Sequence, residues 1–272
     1  MLMDRRPFFS QARCEPVVAG TVLDHNGQPQ PTHMPGERAL TIYLDKREIV
    51  TLMTLGQNPE ALVLGYLRNQ RLIDDLYDIS EIQVSWEVNA AAVSTRRGDA
   101  GERCEEVLRR RTVTSGCGQG TLFGNALERL QTLGGGFKVA RSSIFELLAK
   151  VRQLDTVYKR SGAVHGCVLA DGAEILHHVE DIGRHNAVDS ISGLMWMRGE
   201  QGSDKLFYTT GRLTSEMVIK GAEMGIPVLI SRSGTTEMGL DVARHCGVTL
   251  IGRAKHDRFL VFSGSERVEF NR

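Results

Sequence analysis

The chain has no C-x-x-C pair, no G-x-G-x-x-G, no Walker A loop and no apolar run near the ~18 residues that suggest a membrane span. Each absence excludes something. The five cysteines, at 14, 104, 117, 167 and 246, are odd in number and widely spaced, so neither a zinc ribbon nor the usual redox pair is present. In a reducing compartment they are free thiols. Net charge is also lacking, since 33 basic residues cancel 33 acidic ones, and aromatics reach only 6%. A polyanion-binding surface and a stacking platform for single strands are therefore both disfavoured, and no nucleic-acid partner is expected. Met1 to Arg13 carries Arg5, Arg6 and Arg13 around Phe8 and Phe9, without a long apolar stretch or a small-residue cleavage site. No signal peptide is read there, no membrane partner is expected, and a cytoplasmic location is.

What remains is an ordinary globular composition, 41% hydrophobic and 24% charged over 272 residues, enough for one or two domains. Residues 1–36 are rich in Pro, Gly, Gln and His and read as an irregular N-terminal arm with a turn at Asn26-Gly27. Residues 37–136 read as a smaller α+β region. Ala39 to Leu44 and Glu48 to Met53 alternate as a hairpin around Asp45-Lys46-Arg47, and Asn58-Pro59-Glu60 opens a helix running to about Gln70. Further strands are expected at Ile82 to Val88 and Glu102 to Leu108, and a helical stretch around 121–131.

Residues 137–272 alternate helix and strand. Helix 142–158 is followed by strands 163–170 and 173–179, helix 186–198, strand 205–210, helix 214–224, strand 226–231, helix 235–246 and strand 248–252. Such alternation predicts an α/β fold, a mostly parallel sheet with helices on its faces. Residues 258–262 and 267–270 read as a hairpin at its edge. Gly134-Gly135-Gly136 is the candidate linker.

Five segments have the residues for chemistry. In Thr112 to Thr121, glycines and hydroxyls surround one thiol, Cys117, just ahead of a predicted helix and after Arg109, Arg110 and Arg111. Helix N-termini and cations favour a thiolate, the form that attacks or carries sulfur. A linker with an incidental cysteine is the plain alternative. Glu180 to Asp189 packs Arg184, His185 and Asn186 between a strand and a helix, where α/β sheets bind ligands; a polar turn with an Asn cap would look the same. Thr209 to Glu216, with Gly211, Arg212 and Ser215, and Ser231 to Thr236 are two further strand-to-helix loops able to hold phosphate on backbone N–H groups. Capping alone explains one such loop. Arg253-Ala254-Lys255-His256-Asp257-Arg258 follows the last parallel strand and could hold a pyrophosphate, or be a solvated turn. His165, Cys167 and the His177-His178 pair offer ligands, but the glutamate and paired cysteines of zinc deaminases are absent and His165 and Cys167 lie in an apolar strand, so no metal site is assigned.

Several strings now align with one family. Gly56 to Leu67 (GQNPEALVLGYL), Thr114 to Gly118 (TSGCG), Gly162 to His165 (GAVH), Glu180 to Asp189 (EDIGRHNAVD) and Gly225 to Leu229 (GIPVL) occur in order. From about Glu37 to Arg267 the chain resembles the FdhD family of sulfurtransferases that serve formate dehydrogenase. The resemblance implies a cytidine-deaminase-like main domain and a homodimer, for which the apolar residues between 186 and 230 offer a surface. It implies that Cys117 accepts persulfide sulfur from a cysteine desulfurase and passes it to the molybdenum cofactor, a bis(molybdopterin guanine dinucleotide), bound as substrate with GDP as its mimic and no zinc. The loops at 181–186, 211–215 and 231–236 and the segment 253–258 would then bind that cofactor. One departure is notable: where the family often reads C-G-x-C-G, Gly120 replaces the second cysteine, leaving Cys117 without a local partner. The tail segment departs too, with Arg253 where the family has an aromatic and Lys255 where it has arginine. A cofactor-binding and insertion chaperone that moves no sulfur is the rival reading; a nucleotide hydrolase or deaminase lacks its motifs.

Overall fold

The computed structural model describes residues 6–100, 130, 132–154 and 156–271. The strand expected at 102–108, the Cys117 loop with Arg109 to Arg111, and nearly all of the helix expected at 121–131 lie outside them.

The first sheet has five strands in the order β1 (Phe8–Phe9), β6 (Ile79–Ser85), β7 (Ala90–Thr95), β4 (Arg38–Leu44), β5 (Arg47–Thr54). The β4–β5 hairpin turns on Asp45 and Lys46 alone, at φ 46° and 69°. These left-handed angles suit a two-residue turn. Asp45 is held there by its carboxylate, which accepts from Thr95 N (2.7 Å), Thr95 Oγ1 (2.6 Å) and Ala100 N (2.9 Å). Strand β7 was not expected, because Ala90-Ala91-Ala92 carries little strand propensity; pairing on both sides supplies what propensity does not.

The segment expected to be an irregular arm contains an ordered hairpin, β2 (Val17–Leu23) with β3 (Pro29–Pro35). Its turn is Asn26-Gly27, where Asp24 Oδ1 accepts from Asn26 N at 2.8 Å and Gln28 N at 2.9 Å. Prolines argued against a strand. Yet Pro29, Pro31 and Pro35 share one parity, so their missing N–H groups fall on the unpaired edge, where proline is tolerated.

Helix α1 (Pro59–Asn69) is buried around almost its whole circumference. Below the first sheet it crosses α4 (Arg184–Arg198) at glycines. A Cβ on Gly65 would stand 1.7 Å from Asp189 O, and one on Gly193 would stand 1.9 Å from Ala61 O. The missing side chains let the two backbones touch.

The second sheet has six strands in the order β10 (Glu174–Asp181), β9 (His165–Asp171), β11 (Lys205–Thr209), β12 (Val228–Ser231), β13 (Thr249–Gly252), β14 (Leu260–Ser263). Strands β11, β12 and β13 are parallel; β9, β10 and β14 are antiparallel to their neighbours. The fold is thus α/β, as the alternation predicts, but the sheet is mixed rather than mostly parallel, because the β9–β10 hairpin and β14 add antiparallel pairings on either side of the three parallel strands. Side chains alternate across the sheet. Cys167, Leu169, Phe207, Leu229 and Leu250 pack towards α4, α5 (Ser215–Glu223) and α6 (Glu237–Cys246). Val168, Ala170, Leu206, Tyr208, Val228, Ile230 and Ile251 pack on the other face, towards α2 (Arg141–Gln153). With both faces covered, the strands read as continuous apolar runs.

Two expectations need correction. The helix expected over 142–158 is two helices, because the chain leaves helical geometry at Leu154 and Thr156 caps a new one, α3 (Val157–Ser161), by accepting from Lys159 N at 3.1 Å. The expected edge hairpin of 258–262 with 267–270 does not form. Strand β14 pairs with β13, while β15 (Val268–Glu269) pairs in parallel with β8 (Val139–Ala140). Arg267, 2% exposed, explains the diversion: its guanidinium donates to the carbonyls of Leu133 (3.3 Å) and Gly134 (2.9 Å). The apolar residues between 186 and 230 are largely spent inside the chain, with Ile191, Met195, Phe207, Met217 and Leu229 all at 0% exposure. No helix among the described residues is long and apolar enough to cross a membrane.

Candidate functional site

The carboxyl ends of β11, β12 and β13 all point to one edge of the second sheet, where α/β sheets hold ligands. A cavity of about 460 Å³ opens there, on the α2 face. Small-molecule sites run from roughly 300 to 1,000 Å³. Tyr208 and Thr210 reach it from the end of β11, Arg232 from the end of β12, and Ala254, Lys255 and His256 from the end of β13. Helix α2 gives Leu148, Val151 and Arg152; the start of α3 gives Tyr158 and Lys159; β9 and β10 give Gly166, Val168, His178 and Glu180.

Among the described residues the lining is cationic: Arg152, Lys159, Arg232 and Lys255 against the single carboxylate of Glu180. That carboxylate is engaged, accepting from Val157 N with one oxygen and Tyr158 N (3.1 Å) with the other. The Arg232 guanidinium lies 5.8 Å from the Tyr158 ring centroid, a cation–π distance. Burial lowers the His178 pKa below its ordinary range and pushes the Tyr208 hydroxyl up to about 12. The cavity therefore presents fixed positive charge, an aromatic face and neutral donors, a set suited to a phosphorylated heterocycle.

The residues singled out from sequence divide sharply. Ala254, Lys255 and His256 line the cavity. Ala254 is pinned by its N–H to Ser231 O at 2.9 Å, and Arg253 makes the turn possible at φ 52°. Asp257 and Arg258 are exposed and continue the turn beyond the lining. Arg184, half-buried, lies along Gly211, where a Cβ would stand 2.8 Å from its Cδ. Arg212 is exposed, and Ser215 is buried at 8%. Both arginines, after burial, help depress the pKa of His165, whose Nδ1 sits 3.3 Å from Thr210 Oγ1. This group flanks the cavity through Thr210 without lining it.

His185 and Asn186 are engaged elsewhere. Asn186 Nδ2 donates to Met53 O (2.7 Å) and to Asp181 Oδ1 (2.9 Å), and Thr54 Oγ1 donates to Asp181 Oδ2 (2.5 Å). These bonds join the first sheet to the second. Burial raises Asp181 to about 6, against the pull of those donors. His185, 2% exposed, has Nε2 3.1 Å from Glu216 Oε2, yet burial, then Lys220 and Arg184, hold its pKa near 2, so the ring is neutral. Asp189, at 0% exposure, takes Lys220 Nζ at 2.7 and 2.8 Å and Asn69 Nδ2 at 2.7 Å.

The sequence missed Arg152, Tyr158 and Lys159, which sat in a segment read as plain helix. Their signal is the break at Leu154, visible only as a weak interruption of the apolar stripe. His178, weighed with His177 as a metal ligand, lines the cavity instead. Among the cysteines, Cys167 is fully buried and burial pushes its thiol up to about 12; Cys246 is buried and raised too. Cys14 is half-buried. Among the described residues no three His, Cys, Asp or Glu side chains cluster as a metal site would require.

The comparisons with known proteins agree with one another. A model of the FdhD/NarQ family matches residues 35–269. The "Sulfur carrier protein FdhD" of Listeria monocytogenes is 30% identical over 236 residues, 85% of this chain and 90% of the relative. That of Bacillus subtilis is 28% identical over 237 residues, 86% of this chain and 90% of the relative. The crystal structure of a formate dehydrogenase accessory protein from Desulfotalea psychrophila superposes with a TM-score of 0.76 at 27% identity, covering 93% of this chain and 98% of that one.

Proposed function

This chain belongs to the FdhD/NarQ family, and from that premise we propose that it is a sulfur carrier for formate dehydrogenase with Cys117 as the carrying thiol. The Cys117 thiolate attacks the outer sulfur of a persulfide on a cysteine desulfurase. One S–S bond forms as another breaks, and the donor cysteine leaves as a thiolate, so no net oxidant is needed. The outer sulfur would then pass to the molybdenum cofactor, a bis(molybdopterin guanine dinucleotide), which is cargo here: the S–S bond breaks, Cys117 leaves as its thiolate, and the two electrons that take sulfane sulfur to sulfide come from the reduced cargo. Cys167 and Cys246 cannot take this role, because a buried thiol with a raised pKa supplies almost no thiolate.

The observation that carries the cofactor half of this reading is the cavity. Four cations and an aromatic ring at the ends of parallel strands suit the diphosphate and base of one nucleotide end. The cationic side chains of Arg152, Lys159, Arg232 and Lys255 would meet the phosphates. The same cavity would also serve a chaperone that holds the cofactor and moves no sulfur, a reading favoured by Gly120 in place of a second loop cysteine. A homodimer belongs to this proposal as well. With residues 186–230 turned inward, the β2–β3 hairpin, which exposes Val18, Val22, Leu23 and Met34, offers apolar side chains to a second copy.

Mass spectrometry after incubation with a desulfurase and cysteine separates the readings. The unsubstituted protein should gain one sulfur on Cys117. Cys117→Ser should gain none and should fail to activate its client, since a hydroxyl forms no persulfide. A protein that activates its client with Cys117→Ser in place would leave only the chaperone.

A further inference from the structure

Glu180 belongs to the motif string most strongly suggestive of ligand binding, yet among the described residues it is the one carboxylate in a cavity lined by four cations. It is 5% exposed, and its two oxygens accept from the consecutive amides of Val157 and Tyr158. Those amides open α3, a helix of five residues. A helix so short does not stand alone, because nucleation costs more than one turn returns. Its first N–H groups need partners from elsewhere. Thr156 Oγ1 accepts from Lys159 N, and Glu180, from the neighbouring sheet, takes the other two. Val157 packs with Leu55 and Val164, and β3 lies against the helix as well. Its Tyr158 and Lys159 reach the cavity wall, and Tyr158 in turn faces Arg232.

We propose that Glu180 is a positioning residue for the cavity: it pins the start of α3, thereby placing Lys159 for an anionic ligand and setting Tyr158 against Arg232. The proposal rests on the reading of the cavity as a nucleotide end site. It carries a sign that sets it apart from simple lining. A carboxylate among phosphate-binding cations repels the ligand, so a Glu180 that merely lined the wall would, once neutralised, allow tighter binding. A Glu180 that positions the wall would, once neutralised, weaken binding, because glutamine keeps one acceptor oxygen where two are needed.

The test is calorimetric titration of the full chain with GDP, with folding checked by circular dichroism. Glu180→Gln should bind at least about 3-fold more weakly, and Glu180→Ala about 10-fold or more, as expected from losing charge-assisted hydrogen bonds that order the site. Lys159→Ala should weaken GDP binding in the unsubstituted protein but add little once Glu180→Ala has released α3, since coupled residues are non-additive. If Glu180→Ala does not fold, Glu180→Gln decides alone. Equal or tighter binding by Glu180→Gln, or independent effects of Lys159→Ala and Glu180→Ala, overturns the proposal. So does GDP binding that ignores Lys159→Ala and Arg232→Ala, since the ligand would then lie elsewhere. Persulfide loading of Cys117 in the unsubstituted protein is read in parallel; its failure would count against sulfur carriage and leave the titration result standing.

Discussion

Two regions use polar side chains in opposite ways: the seam between the two sheets and the cavity at the strand ends. At the seam, polar groups are sealed and paired. Asp189 meets Lys220 and Asn69, Asp181 meets Thr54 and Asn186, and the glycines at 65 and 193 let α1 and α4 touch. In the cavity, cations of one sign face an open volume with one engaged carboxylate among them. Like charges gathered around space store repulsion that an anion relieves, whereas paired charges in a closed core fix one arrangement. The Glu180 to Asp189 string is therefore not a single site. Only Glu180 lines the cavity; Asp181, Asn186 and Asp189 hold the two sheets together.

The largest expected effect tests the seam. Lys220→Met leaves the Asp189 carboxylate buried without its cation, a loss of about 3–5 kcal/mol. Chemical denaturation should show a much lower midpoint, while the folded fraction binds GDP as before. Adding Asp189→Leu should return much of that stability, since an apolar pair carries no desolvation cost. A seam that tolerates Lys220→Met without loss would mean that its charges are no more tightly paired than those of the cavity.

The next test concerns the cavity. Arg232→Ala should weaken GDP binding by roughly 10- to 100-fold, the range expected for ~1.5–3 kcal/mol of charge-assisted hydrogen bonding. Arg258→Ala, whose side chain is exposed beyond the lining, should change it by less than about 3-fold. Both variants should melt near the unsubstituted protein. A larger effect from Arg258 would move the ligand outward along the turn.

This division was only half legible in the sequence. Alternating helices and strands from Ser142 onward reveal the second sheet because buried parallel strands are uniformly apolar and their helices are well spaced. The Lys255 and His256 contribution was legible because it follows the last parallel strand directly. Tyr158, Lys159 and Arg152 were not, since a five-residue helix leaves no periodicity of its own and is held by Glu180 from a distant strand. Asn186 and His185 misled for a related reason. Polar residues at a strand–helix junction look alike whether they face a ligand or a second layer of the same protein, and only Met53 and Glu216, distant in sequence, decide which. The hairpin at 17–35 was hidden because proline spacing, not proline count, determines whether a strand survives.

The smallest expected effect sharpens the seam by its pH dependence. Burial raises Asp181 to about 6 in the folded chain, against about 3.9 when unfolded. Between those values the folded state binds more protons than the unfolded state, so this residue's contribution to stability falls as pH rises from about 4 through 6. His185 runs the other way. Its folded pKa near 2 lies below the unfolded value of about 6.5, so its contribution rises across the same window and masks the decline in the unsubstituted protein. Asp181→Asn removes the falling component alone. Relative to the unsubstituted chain, this variant should therefore gain stability with increasing pH, by an amount on the order of 1–3 kcal/mol between pH 4 and 7. Its absolute stability at pH 4 should be lower, because an asparagine amide cannot accept from both Thr54 and Asn186. Urea denaturation at pH 4, 5.5 and 7 reads the difference directly. A stability gap that stays constant across that range would mean that the Thr54 and Asn186 donors hold Asp181 ionised throughout, and that the seam carries no titrating carboxylate there.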